Sequence, residues 1–243
     1  MVTLIYNCIE KLQSVLFSPT CILCGQLTHT TASLCPECTT ELPYNKQCCS
    51  CCSIPLDQKT QKKLLCGACQ KQPLSYQYSQ IPLIYKKPIN RFIQNFKFNN
   101  DFVTGKILCD IFESRLPNVS KIKPQALVPV PLHPSRIRLR GYNQALWLAN
   151  RLSKFTGIKV DNNLIKRIKK TSPQQELKSK QRRTNLKDAF QLNKTIHYKS
   201  IAIIDDVVTT GTTVSEIAKL FKKEGVAQIE VWALARTVQS FKK

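Results

Sequence analysis

The sequence predicts an α/β domain with a mainly parallel sheet, preceded by a small N-terminal module held together by cysteines, and three observations carry that reading. Apolar strand-like runs alternate with amphipathic helix-like segments from about residue 78 onward. Eleven of the twelve cysteines fall before position 70, most of them in C-x-x-C pairs. One apolar run, Ile201-Ala-Ile-Ile, leads straight into two carboxylates and a turn rich in hydroxyls. In chain order the expected elements are a strand at 81–85, helices at 89–96 and 102–115, a strand at 126–130, a helix at 142–155, a strand at 199–204, a helix at 212–224 and a strand at 228–234. Ligands of such sheets bind outside the carboxyl ends of the strands, so the loops after Val130 and after Ile204 are the places to look for function.

The pairs Cys21/Cys24, Cys35/Cys38, Cys49/Cys52 and Cys66/Cys69 define the small module, residues 20–72. A secreted disulfide framework would need a signal peptide, and residues 1–18 have one basic residue, an acid in the middle and no small-residue cleavage site. Instead Leu4, Ile5, Ile9, Leu12, Val15 and Leu16 recur at helical spacing, which predicts an amphipathic helix over residues 1–19. No apolar run is long enough to span a membrane. A reducing cytoplasmic setting follows, where repeated C-x-x-C means metal or redox chemistry. Four pairs fit two structural zinc sites of four cysteines each; the alternative, a thioredoxin-like pair, would need a helix start in a strand-helix context, and these pairs stand among turn residues. Cys48-Cys49-Ser-Cys51-Cys52 holds two interleaved frames, and sequential and crossed pairing of the four motifs both stay open.

After Ile204 come Asp205, Asp206, Val207, Val208, Thr209, Thr210, Gly211, Thr212 and Thr213, and then Val214, Ile217, Ala218, Leu220 and Phe221 at helical spacing. A helix N-terminus supplies N–H donors and partial positive charge, Gly211 permits close backbone approach, and the threonine hydroxyls add donors, a combination that suits a phosphate monoester. Asp205 and Asp206 can accept hydrogen bonds from vicinal ribose hydroxyls, directly or through Mg2+. The segment resembles the 5-phosphoribosyl-1-diphosphate (PRPP) motif of type I phosphoribosyltransferases. Other nucleotide motifs are excluded: Gly105-Lys106 has Asn100 where a Walker A loop needs glycine, and the seven glycines nowhere spell G-x-G-x-x-G.

The loop after Val130 carries Arg136, Arg138 and Arg140 at alternate positions, with Pro131 and Pro134 to stiffen it. Arginine forks suit diphosphate oxygens, while His133 supports no catalytic role alone. A boundary is expected over 70–78, where the C-x-x-C repeat stops and the charge changes: residues 1–70 are formally +1, residues 71–243 formally +21, within a net charge of +22. The densest basic stretch, 159–187, has ten basic residues against Asp161 and Glu176. Such an excess attracts polyanions through counterion release, here by phosphate contact, because stacking aromatics are sparse in that stretch.

The cysteine pairs, Arg140-Gly-Tyr-Asn-Gln144, Gln174-x-x-Leu177 with Arg182-x-x-Asn185 and Ala189-Phe190, and the Asp-Asp-Val-Val-Thr-Thr-Gly-Thr-Thr run together resemble the competence protein F (ComF) family over nearly the whole chain, including Cys52-Ser-Ile-Pro-Leu56 and Phe96-Lys97-Phe98. The resemblance implies a zinc-binding N-terminal domain fused to a type I phosphoribosyltransferase-like domain, residues 78–243, in proteins associated with handling transforming DNA. It implies that Asp205 and Asp206 hold the ribose hydroxyls and magnesium, that Thr209, Thr210, Gly211, Thr212 and Thr213 hold the 5-phosphate, that Arg136 and Arg140, with Arg138 as a third candidate, face the diphosphate, and that Arg182 touches the ligand from a mobile loop over 170–185. It also selects the Cys49/Cys52 frame. Implied partners are PRPP with Mg2+, single-stranded DNA, and a DNA-uptake helicase or recombination protein. Two functions stand: a PRPP-binding protein acting on single-stranded DNA, and a transferase moving phosphoribose to a small base or amine. No general base is identifiable for the second.

Overall fold

The computed structural model describes residues 20–28, 33–56, 65–116, 123–169 and 188–238. The amphipathic helix expected over 1–19, and the stretch 170–187 with Arg182, lie outside the described residues. The chain divides after Leu42 into two compact units. The first holds Cys21, Cys24, Cys35 and Cys38; its one helix among the described residues, α1 (Pro36–Thr40), follows directly on Cys35. The second begins at Pro43 and therefore contains the other four paired cysteines as well as the sheet.

In the second unit α2 (Gly67–Lys71) follows Cys66, and the chain then enters a five-stranded parallel sheet. Strands β1 (Tyr78–Gln80) and β2 (Leu83–Ile84) both pair with β7 (Gln228–Arg236), β1 opposite Glu230–Trp232 and β2 opposite Ala235–Arg236. On the other side of β7 lies β6 (Ser200–Val208), and beyond it β3 (Ala126–Pro129), with Ala126 opposite Ile201 and Pro129 opposite Ile204. A further parallel bridge from Leu127 to Val160 extends the sheet past β3. Ile201, Ala202, Ile203, Ile204, Val231, Ala233, Leu234 and Ala235 are all buried, as strands covered on both faces require.

Helices α3 (Ile89–Phe98) and α4 (Phe102–Arg115) pack on one another, with Gly105 against the Phe96 ring and the Thr104 hydroxyl donating to the Phe92 carbonyl at 3.3 Å. Asp101 caps α4 by accepting from the amides of Val103 and Thr104 at 3.1 Å each. After β3 come α5 (Pro134–Arg140) and α6 (Gln144–Thr156), then an antiparallel hairpin of β4 (Ile165–Arg167) and β5 (Phe190–Leu192), and after β6 the helix α7 (Thr212–Lys223).

From β3 the chain runs outward to the Val160 edge, then returns to place β6 and β7 on β3's other side. The order reverses between β3 and β6, and the crevice at a reversal is where open α/β sheets bind ligands. The loops after β3 and after β6 meet there.

Three sequence expectations change. The arginine segment expected as a loop is a helix, because His133 caps it: Nδ1 accepts from the Ser135 amide at 3.2 Å, and Pro134 occupies the first helical position, where its missing N–H costs nothing. Strand β6 does not end at Ile204 but runs through Val208, so both acids lie inside a paired strand, with Asp205 opposite Ala233. The hairpin β4–β5 has no counterpart among the expected elements; its three-residue strands are too short to show a period.

Candidate functional site

Each cysteine cluster is four sulfurs within 4.8 Å of one another: Cys21, Cys24, Cys35 and Cys38 in the first unit, Cys49, Cys52, Cys66 and Cys69 in the second. Pairing is therefore sequential, and the frame is Cys49/Cys52; the spare thiol of Cys51 instead donates to the Tyr76 carbonyl at 3.4 Å. The turns are built by backbone. Gly25, with φ 74°, donates to the Cys21 carbonyl at 2.8 Å, and Ser53, with φ 51°, donates to the Cys49 carbonyl at 2.9 Å. Sulfur acceptors are supplied with N–H donors, from Cys38 to Cys35 Sγ at 3.4 Å and from Cys66 to Cys49 Sγ at 3.3 Å.

Zinc–sulfur bonds of about 2.3 Å in a tetrahedron put the sulfurs about 3.8 Å apart. The structure gives 3.8 Å between Cys24 and Cys35 and 3.7 Å between Cys52 and Cys66. The Cys52 thiol donates to Cys49 and holds its pKa below the ordinary thiol value, against the opposing effect of burial, which favours the thiolate form that a metal takes. Both donor sets fit structural Zn2+.

At the sheet crevice, β6 delivers the two acids. Asp206 is buried and pairs with Lys97, Oδ2 to Nζ at 2.9 Å. Its amide donates to Asp205 Oδ1 at 2.9 Å. Burial of the Asp205 carboxylate, and then the adjacent Asp206 charge, raise its pKa to about 7, while Lys97 pulls the other way. After the acids, Thr209, Thr210 and Gly211 turn the chain into α7. Gly211 caps that helix at φ 76°, a conformation that costs glycine little and a β-carbon-bearing residue more. The Thr210 and Thr212 hydroxyls bond at 2.8 Å, leaving hydroxyls and first-turn amides together at the loop.

Opposite stands α5. Arg136 and Arg140 are four residues apart and share one half-buried helical face, whereas Arg138 is exposed on another. Alternation in the sequence grouped all three; the helical period separates them. Burial, and then Arg140, lower the pKa of Arg136. Arg167, at the end of β4, is buried close enough to Arg136 and Asp205 to feel both charges, and its pKa falls to about 10, mainly through desolvation. Arg167 therefore does not belong to a solvent-facing basic track, where the charge count of 159–187 places it. Lys159, Lys166 and Lys169 are exposed.

Lys97 is the site residue that charge counting misses. Its position is set by the segment Arg140–Gln144. The Tyr142 hydroxyl donates to the Phe96 carbonyl, and Gln144 Nε2 donates to the Lys97 carbonyl at 3.5 Å. Asn143 caps α6 and donates to the Val130 carbonyl at 3.1 Å, while Arg140 donates to Gln144 Oε1 at 2.9 Å. These bonds fasten the end of α3 to the loop after β3, which carries Lys97 to Asp206. The signal was present as Phe96-Lys97-Phe98, where a cation sits between two apolar neighbours at the end of a predicted helix.

The comparisons with known proteins agree with this layout. A double zinc ribbon domain model matches residues 12–70, and a phosphoribosyl transferase domain model matches residues 141–242. Competence protein F of Haemophilus influenzae is 38% identical over 231 residues, covering 90% of this chain and 98% of that protein. The chain belongs to the competence protein F family. The DNA utilization protein YhgH of Escherichia coli is 31% identical over 223 residues, covering 90% of each, and the competence protein ComFC of Streptococcus pneumoniae is 27% identical over 234 residues, covering 89% of this chain and 99% of that protein. No helix among the described residues is long and apolar enough to cross a membrane.

Proposed function

We propose that this ComF-family protein binds PRPP with Mg2+ in the crevice between β3 and β6 and acts on single-stranded DNA during DNA uptake and use. The observation that carries the ligand is the meeting of an acid pair, a threonine–glycine loop at a helix start, and four cations, Lys97, Arg136, Arg140 and Arg167, at the sheet's reversal point. The 5-phosphate takes the amides and hydroxyls of Thr209–Thr213, the ribose hydroxyls take Asp205 and Asp206, and the diphosphate takes the arginine face of α5, with Arg182 joining from the segment outside the described residues. The carboxylates are hard oxygen donors of the kind Mg2+ uses, and the ion would supply charge neutralisation between ribose and diphosphate.

Support for the nucleic acid comes from charge, from relatives named for competence and DNA utilization, and from the surface beside α5. Phe98 is 58% and Phe102 46% exposed, and the Arg140 guanidinium lies 4.9 Å from the centre of the Phe98 ring. Exposed rings next to cations are what sequence-tolerant binding of single strands requires, bases stacking on the rings and phosphates pairing with the cations. The charged stretch 159–187 has too few aromatics for this, and the rings come instead from α3 and α4. The match to a phosphoribosyl transferase domain favours a second reading, transfer of phosphoribose to an acceptor amine with release of diphosphate.

Incubation of the zinc-loaded protein with labelled PRPP, Mg2+, nucleobases and oligonucleotides tests all three claims. The expected result is saturable PRPP binding without diphosphate release, together with oligonucleotide binding that weakens steeply with salt. Diphosphate release dependent on one acceptor would replace the binding role with the transferase reading. No heat with PRPP by calorimetry would remove the ligand assignment, and no oligonucleotide binding at low salt would remove the DNA assignment.

A further inference from the structure

Arg236 closes β7 and is 3% exposed. Its Nε donates to the carbonyl of Cys52 at 3.0 Å, and its Nη1 donates to the carbonyls of Val208 at 3.0 Å, Thr209, and Thr237 at 3.2 Å. All four acceptors are main-chain carbonyls from three separate stretches of chain. One is the knuckle of the second cysteine cluster; two belong to the entrance of the phosphate loop. A planar guanidinium holds such acceptors in a fixed mutual geometry, which a flexible ammonium does not.

A second connection runs alongside. The Tyr76 carbonyl accepts from the Cys51 thiol inside the same knuckle, while the Tyr76 hydroxyl lies 3.7 Å from where a β-carbon on Gly211 would stand. Ser79 donates to the Cys51 carbonyl at 2.6 Å, tying the knuckle to β1. The knuckle thus leans on the same few buried residues that shape Thr209–Gly211.

We infer that Arg236 is a positioning residue through which the metal state of the second cysteine cluster sets the shape of the phosphate loop, and hence its affinity for PRPP. The inference rests on the proposed PRPP site, and it assigns a dependence that the first cluster, in the other unit, does not share. With metal bound, Cys52 is fixed and its carbonyl anchors Nε. Without metal, only weak hydrogen bonds such as that from the Cys66 amide to Cys49 Sγ hold the four sulfurs together; the knuckle loosens, Arg236 loses a fixed anchor, and the Val208 and Thr209 carbonyls lose a rigid donor. Coupling between two sites is reciprocal, so PRPP must tighten zinc at the second cluster by the same factor.

The test uses full-length, zinc-loaded protein. Equilibrium competition with a chromophoric chelator, with and without PRPP and Mg2+, should show one of two zinc ions held about tenfold more tightly when PRPP is present, the usual scale of coupling between sites. Cys69→Ser should weaken PRPP binding by about the same factor, and Cys24→Ser should change it less than about twofold. Arg236→Lys should keep two zinc ions but abolish the effect of PRPP on zinc. Hydrogen exchange supplies a readout that needs no PRPP: amides of 209–213 should exchange faster in Cys69→Ser and Arg236→Lys than in wild type, while those of β3 and α6 keep their protection. Equal zinc affinity with and without bound PRPP overturns the inference. So does unchanged exchange at 209–213, or exchange that accelerates uniformly across the second unit, which would mean general unfolding. If the wild-type protein binds no PRPP, the ligand assignment has failed, and local exchange at 209–213 still decides whether metal and loop are linked.

Discussion

Replacing Asp205 with asparagine should stabilise the magnesium-free, ligand-free protein while removing the proposed affinity for PRPP. The side chain is nearly isosteric, and the asparagine oxygen can still accept the bond that the Asp206 amide gives to Asp205 Oδ1. What is lost is a carboxylate whose pKa stands at about 7 in the fold, because it is desolvated and sits beside Asp206. In the unfolded chain it returns to about 3.9, and a difference of about three units corresponds to a ceiling of ~4 kcal/mol. Asp205 keeps part of its surface in contact with water, which screens the charge and brings the expected gain down to roughly 1–2 kcal/mol. For a chain of this size that is a rise in Tm of about 3–6 °C.

The sign follows from linkage: the folded state holds the Asp205 proton more tightly than the unfolded state does, so this group's stabilising contribution is complete below about pH 4 and is lost as pH rises through about 7. The gain from Asp205→Asn should accordingly be small at about pH 4.5 and full at about pH 8. Thermal melts in magnesium-free buffer at the two pH values, with zinc content measured alongside, read this directly, and calorimetry reads PRPP. A mutant less stable than wild type at the higher pH with both zinc ions retained would show that the carboxylate is a structural group, and would undo the view that this site stores electrostatic cost for a ligand to relieve.

Other outcomes follow from single contacts. Metal analysis should give about two zinc ions per chain, and Cys49→Ser should lose one while Cys48→Ser retains both, since Cys48 lies outside the four-sulfur cluster. Gly105→Ala should cost about 1–3 kcal/mol in urea unfolding, because its β-carbon would come within 2.7 Å of the buried Phe96 ring and force apart α3 and α4, whose packing sets Lys97. Phe98→Ala should weaken oligonucleotide binding severalfold without changing its salt slope, whereas Lys159, Lys166 and Lys169 neutralised together should flatten the slope without changing zinc content; equal slopes for wild type and triple mutant would place the DNA track elsewhere.

Much of the site was legible because its chemistry is local. Asp205, Asp206, Thr209–Thr213 and the cysteine pairs sit at short fixed spacings, and a strand followed by a glycine turn and a helix brings them together without help from the rest of the chain. The parallel sheet was legible because Ile201–Ile204 and Val231–Leu234 are apolar without interruption. Where period and propensity disagree, reading fails. Arg136, Arg138 and Arg140 alternate like a strand, follow a Pro-rich turn, and still form a helix, since a proline at the first helical position and a histidine cap matter more than alternation over a short segment. Lys97 was legible only as the centre of Phe96-Lys97-Phe98, without a role, and Arg236 was not legible as a site residue at all. Each acts through contacts distant in sequence, Lys97 on Asp206 and Arg236 on Cys52 and Val208.

Those two residues also change what the basic composition means. A formal +21 on residues 71–243 reads as a polyanion-binding surface if every cation faces water. Several do not. Arg167 and Arg236 are buried, Arg136 and Arg140 are half-buried on the crevice side of α5, and Lys97 is spent on Asp206. Each of these is held by hydrogen bonds, ring contacts or charge inside the fold, and burial lowers the pKa of Arg136 and Arg167 rather than leaving them at ordinary values. A guanidinium kept in that condition carries a desolvation cost that a bound anion offsets, and the chemistry lining the crevice suits phosphates and vicinal hydroxyls. The charge excess therefore divides into two populations: an inward group that lines the proposed small-molecule site, and a larger outward group among the described residues, including Arg91, Lys106, Arg138, Lys154, Lys159, Lys166 and Lys199, that faces water. Because the buried cations, Arg167 and Arg236, and the ion-paired Lys97 release no counterions when DNA binds, the salt slope should report fewer phosphates than the composition suggests, and PRPP should bind with a salt dependence set by the inward group.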